Sequence, residues 1–383
     1  MKLTTRQESD FIAASRLLMI CGLVYHHLFE IPGSDHSPRL SMEQAEVFVP
    51  EFINGFFHMA MMAAVPTLSV ISGFLFFNRR EIDFRKLLKG RFHSVAVPSW
   101  LWCALWLCLG YGLYQLYVTN GWFRWTASYG FDSPTPMTIV NGIFGLTREP
   151  FAFQFWFVRD LILMLILTPI LYYFLRLLGH WLLIPVLGLW LLLPDPPLFF
   201  SGNVPVFFTI GALLAMPGGM GLQAVLEKLA AYRAILLILF AVLLVVRLMS
   251  YAFGAAEAFI QGHIYLCLLR VTGVAAFSSL LYPATLRDSP FIRTCVSYSG
   301  YSFFIFATHF PLIELLQDAV TAVPGYDTAA GMFLSWLLIP LLTIGLSLLL
   351  AMGLERSAPG WFHTLNGGRQ GEHRQANFQA HPV

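Results

Sequence analysis

The chain has 383 residues, of which 57% are hydrophobic and only 11% are charged. Because an ordinary soluble domain has about a quarter of its residues charged, this composition excludes a soluble globular protein and predicts one that crosses a membrane several times. The formal net charge of +2 does not indicate a nucleic-acid partner, and the five cysteines include no CxxC pair that would indicate a disulfide framework or a zinc site.

Apolar windows of about twenty residues predict ten membrane-spanning helices in an all-α bundle. In chain order they lie near 11–30, 56–78, 95–118, 154–176, 180–195, 204–219, 234–252, 263–282, 299–319 and 329–353. The fifth and sixth are short, and a Pro-rich turn is predicted between them. No small-residue cleavage site follows the first window, so we expect a retained helix and not a removed signal peptide.

The orientation follows from the basic residues, which concentrate on the cytoplasmic flanks of membrane proteins. With the N-terminus inside, most of the 23 Lys and Arg residues fall on inner flanks, and only Arg39, Arg124 and Arg148 fall outside. Ten spans then place both termini in the cytoplasm. We expect residues 1–355 to form one transmembrane domain and the polar residues 356–383 to be a disordered cytoplasmic tail.

The first span carries two ionisable side chains, Arg16 and His27, which are eleven residues apart. That spacing is about three helical turns, so their directions differ by about 20° and they share one face of the helix. An arginine inside a membrane is costly unless it faces protein or water, and a histidine exchanges a proton near neutral pH. His26 points about 80° away from Arg16 and does not share that face. His27 is therefore the catalytic candidate, and an inert, hydrogen-bonded histidine is the alternative.

The first inner loop carries six cations between Arg79 and Arg91. They either anchor the loop at the cytoplasmic face or bind a polyanion such as a nucleotide phosphate, which Arg holds through its planar fork. Arg85, Lys89 and Arg91 are the candidates for such a site. Arg91 is the best placed of them because it stands at the membrane edge shortly before Pro98.

Two later spans also carry ionisable groups. Arg159 and Asp160 stand near the start of the fourth span, where neighbouring residues point about 100° apart and need not pair with each other. Ion pairs with other helices and contacts with a substrate are both open for them. His309 lies in the ninth span, two residues before Pro311. A proline beside an intramembrane histidine often lines a cavity, and simple packing is the alternative.

The segments that carry these residues resemble the acyltransferase-3 family of multi-spanning membrane acyltransferases. Arg16-x10-His27 is similar to the family's signature, and SVISGFLFF, KGRFHSVAVPSWLW, FWFVRDLI and YSFFIFATHFPL follow in the family's order. The resemblance covers about residues 10–320. The pieces GRFHSVAVPSW and WFVRDLI are most similar to the branch that decorates bacterial exopolysaccharides, antigens and glycolipids with acetyl or succinyl groups.

The resemblance implies a membrane O-acyltransferase that moves an acyl group from cytoplasmic acyl-CoA, with acetyl-CoA the favoured donor, to a glycan hydroxyl at or beyond the outer face. It implies that His27 is the catalytic histidine, as general base or as transient acyl carrier, with Arg16 as its partner. Arg91 matches the arginine before the family's Ile/Val-Pro. Many members carry a second basic residue three positions later, where this chain has Ser94.

The resemblance also implies the partners of the protein. They are acyl-CoA, a glycan or glycolipid acceptor, the lipid bilayer of the bacterial inner membrane and the machinery of polysaccharide synthesis. The other candidate cations of the inner loop would help to hold phosphate groups, and the candidates in the fourth and ninth spans would contact the substrate or support the site. Neither a metal cofactor nor a nucleic acid is expected.

Two other classes of protein remain as alternatives. A transporter or flippase of lipid-linked sugars would have the same apolar composition, and intramembrane charges suit it equally well. The lack of an internal repeat and the clustering of ionisable groups at the interfaces count against it. In a sensor or assembly subunit, the histidines would merely pack.

Overall fold

The computed structural model describes residues 4–28, 48–79, 81–120, 126, 129–193, 201–252 and 262–369. Within these ranges the chain is helical and has no β-strand, as the predicted all-α class requires. The α-helices of these ranges are α1 (Thr5–His26), α2 (Phe48–Met61), α3 (Ala64–Phe77), α4 (Phe84–Arg91), α5 (Val97–Asn120), α6 (Pro136–Phe144), α7 (Trp156–Leu178), α8 (Leu183–Leu192), α9 (Asn203–Ala215), α10 (Leu222–Ala231), α11 (Arg233–Ala252), α12 (His263–Leu286), α13 (Pro290–Tyr298), α14 (Ser302–Thr321), α15 (Ala329–Ser357) and α16 (Pro359–Leu365).

Seven helical segments of the described residues are long and apolar enough to cross a bilayer. They are Phe48–Phe77, Phe84–Thr119, Phe153–Leu192, Arg233–Ser250, His263–Leu286, Pro290–Thr321 and Ala329–Ser357. At two predicted spans, 180–195 and 204–219, the structure has helices shorter than a full span: α8 has 10 residues and α9 has 13. Helix α1 has 22 residues but is not one of the seven. The count of ten spans and the location of the termini therefore stay predictions.

The described residues fall into two compact units that alternate along the chain. The first unit comprises Met1–Gly22, Met59–Gly90 and Asp160–Ser299, and the second comprises Leu23–His58, Arg91–Arg159 and Gly300–Val383. Helix α1 therefore contributes most of its length to the first unit and its C-terminal end to the second.

The first unit contains a close contact between α3 and α9. Gly73 on α3 lies against the main chain of Phe208, and Gly211 on α9 lies against the main chain of Val70, so a Cβ at either glycine would collide with the opposite backbone. Lipid supplies no hydrophobic force that drives helices together, so van der Waals contact between closely approaching backbones holds such pairs. The two glycines are therefore required for this packing.

The second unit holds α14 in its interior. Thr308 on α14 donates its hydroxyl to the Ser347 hydroxyl on α15 (2.8 Å), and Trp106 on α5 donates its indole N–H to the carbonyl of Ala307 (2.8 Å). Every residue from Ser302 to Pro311 is buried. Bonds from two neighbouring helices thus fix the segment that carries His309.

The beginning of the segment expected to be a disordered tail is folded. Pro359–Leu365 forms helix α16, in which Phe362 is 3% exposed. Trp102 on α5 donates its indole N–H to the carbonyl of Leu365 (2.9 Å). The structure differs from the expectation here because a few apolar side chains and one indole anchor a mostly polar segment. Residues 370–383 of the expected tail lie outside the described residues.

The contact of α3 with α9 can be tested by Gly211→Ala, whose Cβ would meet the main chain of α3. We expect the free energy of unfolding to fall by about 1–3 kcal/mol, because the two helices must move apart. Denaturant titration of the purified protein in detergent micelles measures this loss. Gly188→Ala on α8 of the same unit is the control, because a Cβ there meets nothing within 4 Å. Equal effects of the two substitutions would contradict the packing argument.

Candidate active site

His27 follows the last residue of α1 and is 5% exposed. Its main-chain N–H bonds to the carbonyl of Leu23 (3.0 Å), so the chain is still helical at this point. The imidazole is stacked on that of His309 with ring centroids 5.3 Å apart, and it meets Phe153 and Phe310 edge-on at 5.5 and 5.6 Å. All four rings belong to the second unit. The structure thus places two of the predicted site residues, His27 and His309, in direct contact within an aromatic surround.

His309 is fully buried, and its tautomer follows from its hydrogen bond. Its Nδ1 lies 2.8 Å from the carbonyl oxygen of Phe306. A carbonyl can only accept, so Nδ1 carries the proton of this bond, and in the neutral imidazole the basic nitrogen is Nε2. The ring that stacks on His27 is therefore held in one orientation and one tautomer.

The carbonyl of Ala307 explains how α14 is positioned around His309. Pro311 stands four residues after Ala307 and has no N–H, so the usual helical bond to this carbonyl is missing. Two side chains replace it: Trp106 donates its indole N–H (2.8 Å) and Gln154 donates its amide N–H (3.1 Å). A carbonyl freed by proline inside a membrane must be satisfied again, and here both donors come from other segments of the second unit.

Gln154 is a residue of the site that sequence reasoning missed. It is 2% exposed and lies in the short 3₁₀ turn Phe153–Phe155, whose first residue contacts His27. Its amide oxygen Oε1 is buried and has no hydrogen-bond partner among the residues that the structure describes. A buried carbonyl oxygen of this kind can accept a hydrogen bond from a hydroxyl group, which is the functional group that a sugar presents.

His26 has a role that differs from that of its neighbour His27. Its Nδ1 bonds to the carbonyl of His58 (2.8 Å), and Nδ1 of His58 bonds to the carbonyl of His26 (2.7 Å). The two rings are stacked with their centroids 4.2 Å apart. This reciprocal pair ties the C-terminal end of α1 to α2. The structure therefore gives His26 a packing role and leaves His27 turned toward His309.

Arg16 lies on α1 about three turns before His27, as the sequence predicts. It is half-buried and belongs to the first unit, whereas His27 belongs to the second. Its cooperation with His27 stays a prediction.

The main-chain partners of Arg159 and Asp160 are described, and they differ. Arg159 donates from Nη1 to the carbonyl of Gly145 (3.2 Å) in the second unit. Asp160 is fully buried, and its carboxylate accepts the main-chain N–H of Ser201 (2.7 Å) in the first unit. Bonds of this kind hold loops in place, which favours the structural interpretation of these two residues over contact with a substrate.

The candidate cations of the inner loop lie on α4. Arg85 and Lys89 are exposed one helical turn apart, and Arg91 is half-buried at the end of the helix. After Arg91 the chain forms one π-helical turn, Phe92–Ala96, before α5 begins. Such turns inside helices are frequent at functional sites. Among the described residues, no group of three His, Cys, Asp or Glu side chains is placed to hold a metal ion.

The signals for the missed residues differ. Pro311 four residues after Ala307 indicates a carbonyl that needs a new donor, so the need could have been read from the sequence. The identity of the donors, Trp106 and Gln154, could not, because they come from segments far away in the chain.

Comparisons with known proteins agree with the resemblance found in the sequence. The family model described as "Acyltransferase domain" matches residues 10–352. The succinoglycan biosynthesis protein ExoH of Rhizobium meliloti (strain 1021) is 25% identical over 374 residues, which cover 94% of this chain and 92% of that protein. No solved structure matches the chain.

The two side-chain hydrogen bonds to the carbonyl of Ala307 can be tested with the substitutions Trp106→Phe and Gln154→Leu. Each single substitution leaves one donor, so we expect each to lower the free energy of unfolding by about 1 kcal/mol. The double variant leaves a buried carbonyl without a donor and should cost about 1–3 kcal/mol more than the sum. Denaturant titration in micelles measures the four proteins of the cycle.

The matched control for this cycle is Trp102→Phe, which removes an indole bond from the same helix to a different carbonyl, that of Leu365. When Trp102→Phe is combined with Gln154→Leu, the losses in free energy of unfolding should add. If the losses of Trp106→Phe and Gln154→Leu also add, the two side chains do not replace each other as donors to the carbonyl of Ala307.

Proposed function

The chain belongs to the acyltransferase-3 family of membrane acyltransferases, and from that premise we propose that it transfers an acetyl or succinyl group from cytoplasmic acyl-CoA to a hydroxyl of an extracytoplasmic or lipid-linked glycan. The family match over nearly the whole chain supports acyl transfer. The relative named for succinoglycan biosynthesis supports a polysaccharide acceptor. Seven apolar helices in the described residues support a site inside a membrane.

The observation that carries the assignment of the site is the stacking of His27 on His309. His27 acts as the general base: it takes the proton of the acceptor hydroxyl while the hydroxyl oxygen attacks the thioester carbonyl, and CoA leaves as the thiolate. In the alternative, His27 itself attacks the thioester and carries the acyl group until the acceptor arrives. His309, held through Nδ1, supports His27 and faces the substrate.

The proposed donor and acceptor approach from opposite sides. With ten spans and both termini in the cytoplasm of a bacterium, Arg91, Arg85 and Lys89 face inward and hold the phosphate groups of acyl-CoA. Arg16 stabilises the thioester oxyanion or the donor. His27 stands at the far end of α1, where an acceptor on the outer side of the inner membrane reaches it.

The base is tested by His27→Asn, which places an amide N–H near the position of Nδ1 but cannot take up a proton. We expect acyl transfer to fall by about 10²–10⁴-fold. The measurement is transfer of label from acetyl-CoA or succinyl-CoA to a polysaccharide acceptor in purified membranes, with expression followed by immunoblot.

The matched control is His26→Asn, one residue earlier on the same helix, where the amide can keep the bond to the carbonyl of His58. Transfer should survive it. Normal transfer by His27→Asn would contradict the assignment of the base. Movement of lipid-linked sugar across the membrane by a wild-type protein that transfers no label would favour the transporter class instead.

The proposed role of Arg16 is tested by Arg16→Lys, which keeps the charge but loses the planar fork. We expect transfer to fall by about 10²-fold with the protein present in normal amount, since a donor to a developing oxyanion is lost. Arg6→Lys on the same helix is the control, because the Arg6 side chain is 77% exposed and pairs with Asp10 (3.7 Å) at the helix surface. Loss of protein in parallel with activity would indicate a structural role for Arg16.

A further inference from the structure

Residues 359–369, at the C-terminal end of the described chain, form a hook that returns to the segment just before α5. Helix α16 ends at Leu365, and Gly367 and Gly368 then adopt left-handed backbone conformations (φ 66° and 75°). The turn brings the Nη1 of Arg369 to 3.5 Å from the carbonyl oxygen of Ser94, 275 residues earlier in the chain. Hook residues and Ser94 all belong to the second unit.

Only glycine fits at the centre of this hook. A Cβ on Gly367 would collide with the carbonyl of Ser94 and would lie 2.5 Å from Nη1 of Arg369. The side-chain amide of Asn366, which is fully buried, donates to the carbonyls of Gly300 (2.9 Å) and Arg369 (3.1 Å). Main chain and side chain of Arg369 are therefore both placed by specific contacts.

The guanidinium of Arg369 is also oriented. It lies over the ring of Phe303, with its central carbon 4.7 Å from the ring centroid, and Nη1 also bonds to the carbonyl of Asn366 (3.0 Å). Contact with an aromatic face and a hydrogen bond to a main-chain carbonyl both restrict the orientation of a guanidinium. A side chain held in this way loses little conformational entropy when it binds an anion.

The position of the hook gives this arginine a chemical context. Ser94 lies in the π-helical turn Phe92–Ala96, and Arg91 is the residue before that turn. Arg369 is half-buried, and so is Arg91, which places both between the protein interior and solvent. The hook thus brings a second guanidinium to the turn that begins after Arg91.

We infer that Arg369, carried by the hook 359–369, forms with Arg91 the site for the phosphate groups of the acyl donor. This rests on the proposed use of acyl-CoA. Coenzyme A carries a diphosphate and a 3′-phosphate, and guanidinium groups bind such oxygens through paired, charge-assisted hydrogen bonds. A second arginine that contacts the turn after Arg91 supplies a second pair of donors, which one side chain cannot.

The alternative is that Arg369 only anchors the hook. The two roles differ in what they predict: an anchor affects the stability of the protein without ligand, whereas a phosphate ligand affects the affinity for CoA and its dependence on salt. The charge and the contact with Ser94 can also be separated, because an arginine introduced at position 94 would supply a guanidinium without the hook.

The experiment measures CoA binding by calorimetry to the full-length protein in phosphatidylcholine nanodiscs. We expect Arg369→Gln to raise the Kd for CoA about tenfold and to make binding less dependent on salt, with the unfolding temperature of the unliganded protein nearly unchanged. Adding Ser94→Arg to Arg369→Gln should restore the affinity. The control is Arg356→Gln, an exposed arginine at the end of α15 in the same unit, which should leave the Kd unchanged.

The outcomes separate the inference from the function on which it rests. Equal CoA affinity of wild type and Arg369→Gln overturns the inference and leaves the acyl-CoA donor in place. Weaker binding with a lower unfolding temperature and no rescue by Ser94→Arg also overturns it, because Arg369 is then an anchor. Equal CoA affinity of the two proteins, together with tighter association of anionic phosphatidylglycerol with wild type than with Arg369→Gln, overturns it in favour of lipid phosphate. No binding of CoA or acyl-CoA to wild type under any condition overturns the donor as well.

Discussion

The carbonyl oxygen of Ala307 is the constraint on which the second unit depends. Pro311 removes its helical donor, and an unsatisfied carbonyl away from water costs several kcal/mol. The indole of Trp106 and the amide of Gln154 supply the missing bonds, so α5, α14 and the 3₁₀ turn before α7 meet at one atom. His309 follows Ala307 by two residues, and Phe153 directly precedes Gln154. The positions of the rings around His27 therefore depend on a missing helical hydrogen bond in α14 and on the two side chains that replace it.

Much of this could be predicted from the sequence, because local features determine it. The apolar segments follow from composition, the shared face of Arg16 and His27 follows from helical geometry, and the importance of His309 follows from the proline beside it. The packing of His27 on His309 could not be predicted, since it joins α1 and α14 across most of the chain. The same is true of His26, whose bond partner His58 lies on another helix.

The C-terminal segment, where the structure departs from expectation, and the span 204–219, which stays a prediction, share one physical reason. Hydropathy measures the tendency of a segment to enter lipid and does not measure helix length, so it predicts a span at 204–219, where the structure has the 13-residue helix α9. Polarity likewise measures the average of a segment, so 356–383 is read as disordered although Phe362 and Leu365 are buried. Ser94 gives an example of a contact that local sequence does not contain. The chain has no basic residue at position 94, but the guanidinium of Arg369 lies 3.5 Å from the carbonyl oxygen of Ser94.

The two stacked imidazoles also restrict how the proposed chemistry runs. Their ring centroids are 5.3 Å apart, and the rings of Phe153 and Phe310 meet the His27 imidazole edge-on, so the position of that imidazole is fixed by three neighbouring rings. His309 keeps its Nδ1 proton in the bond to the carbonyl of Phe306. In the proposed reaction His27 takes the proton of the acceptor hydroxyl, whereas His309, whose Nδ1 is already bonded, has only Nε2 left to accept a hydrogen bond. The contribution of the second histidine to the proposed base is therefore positional: it packs against the ring of His27 and holds that ring in place to take the proton of the acceptor hydroxyl.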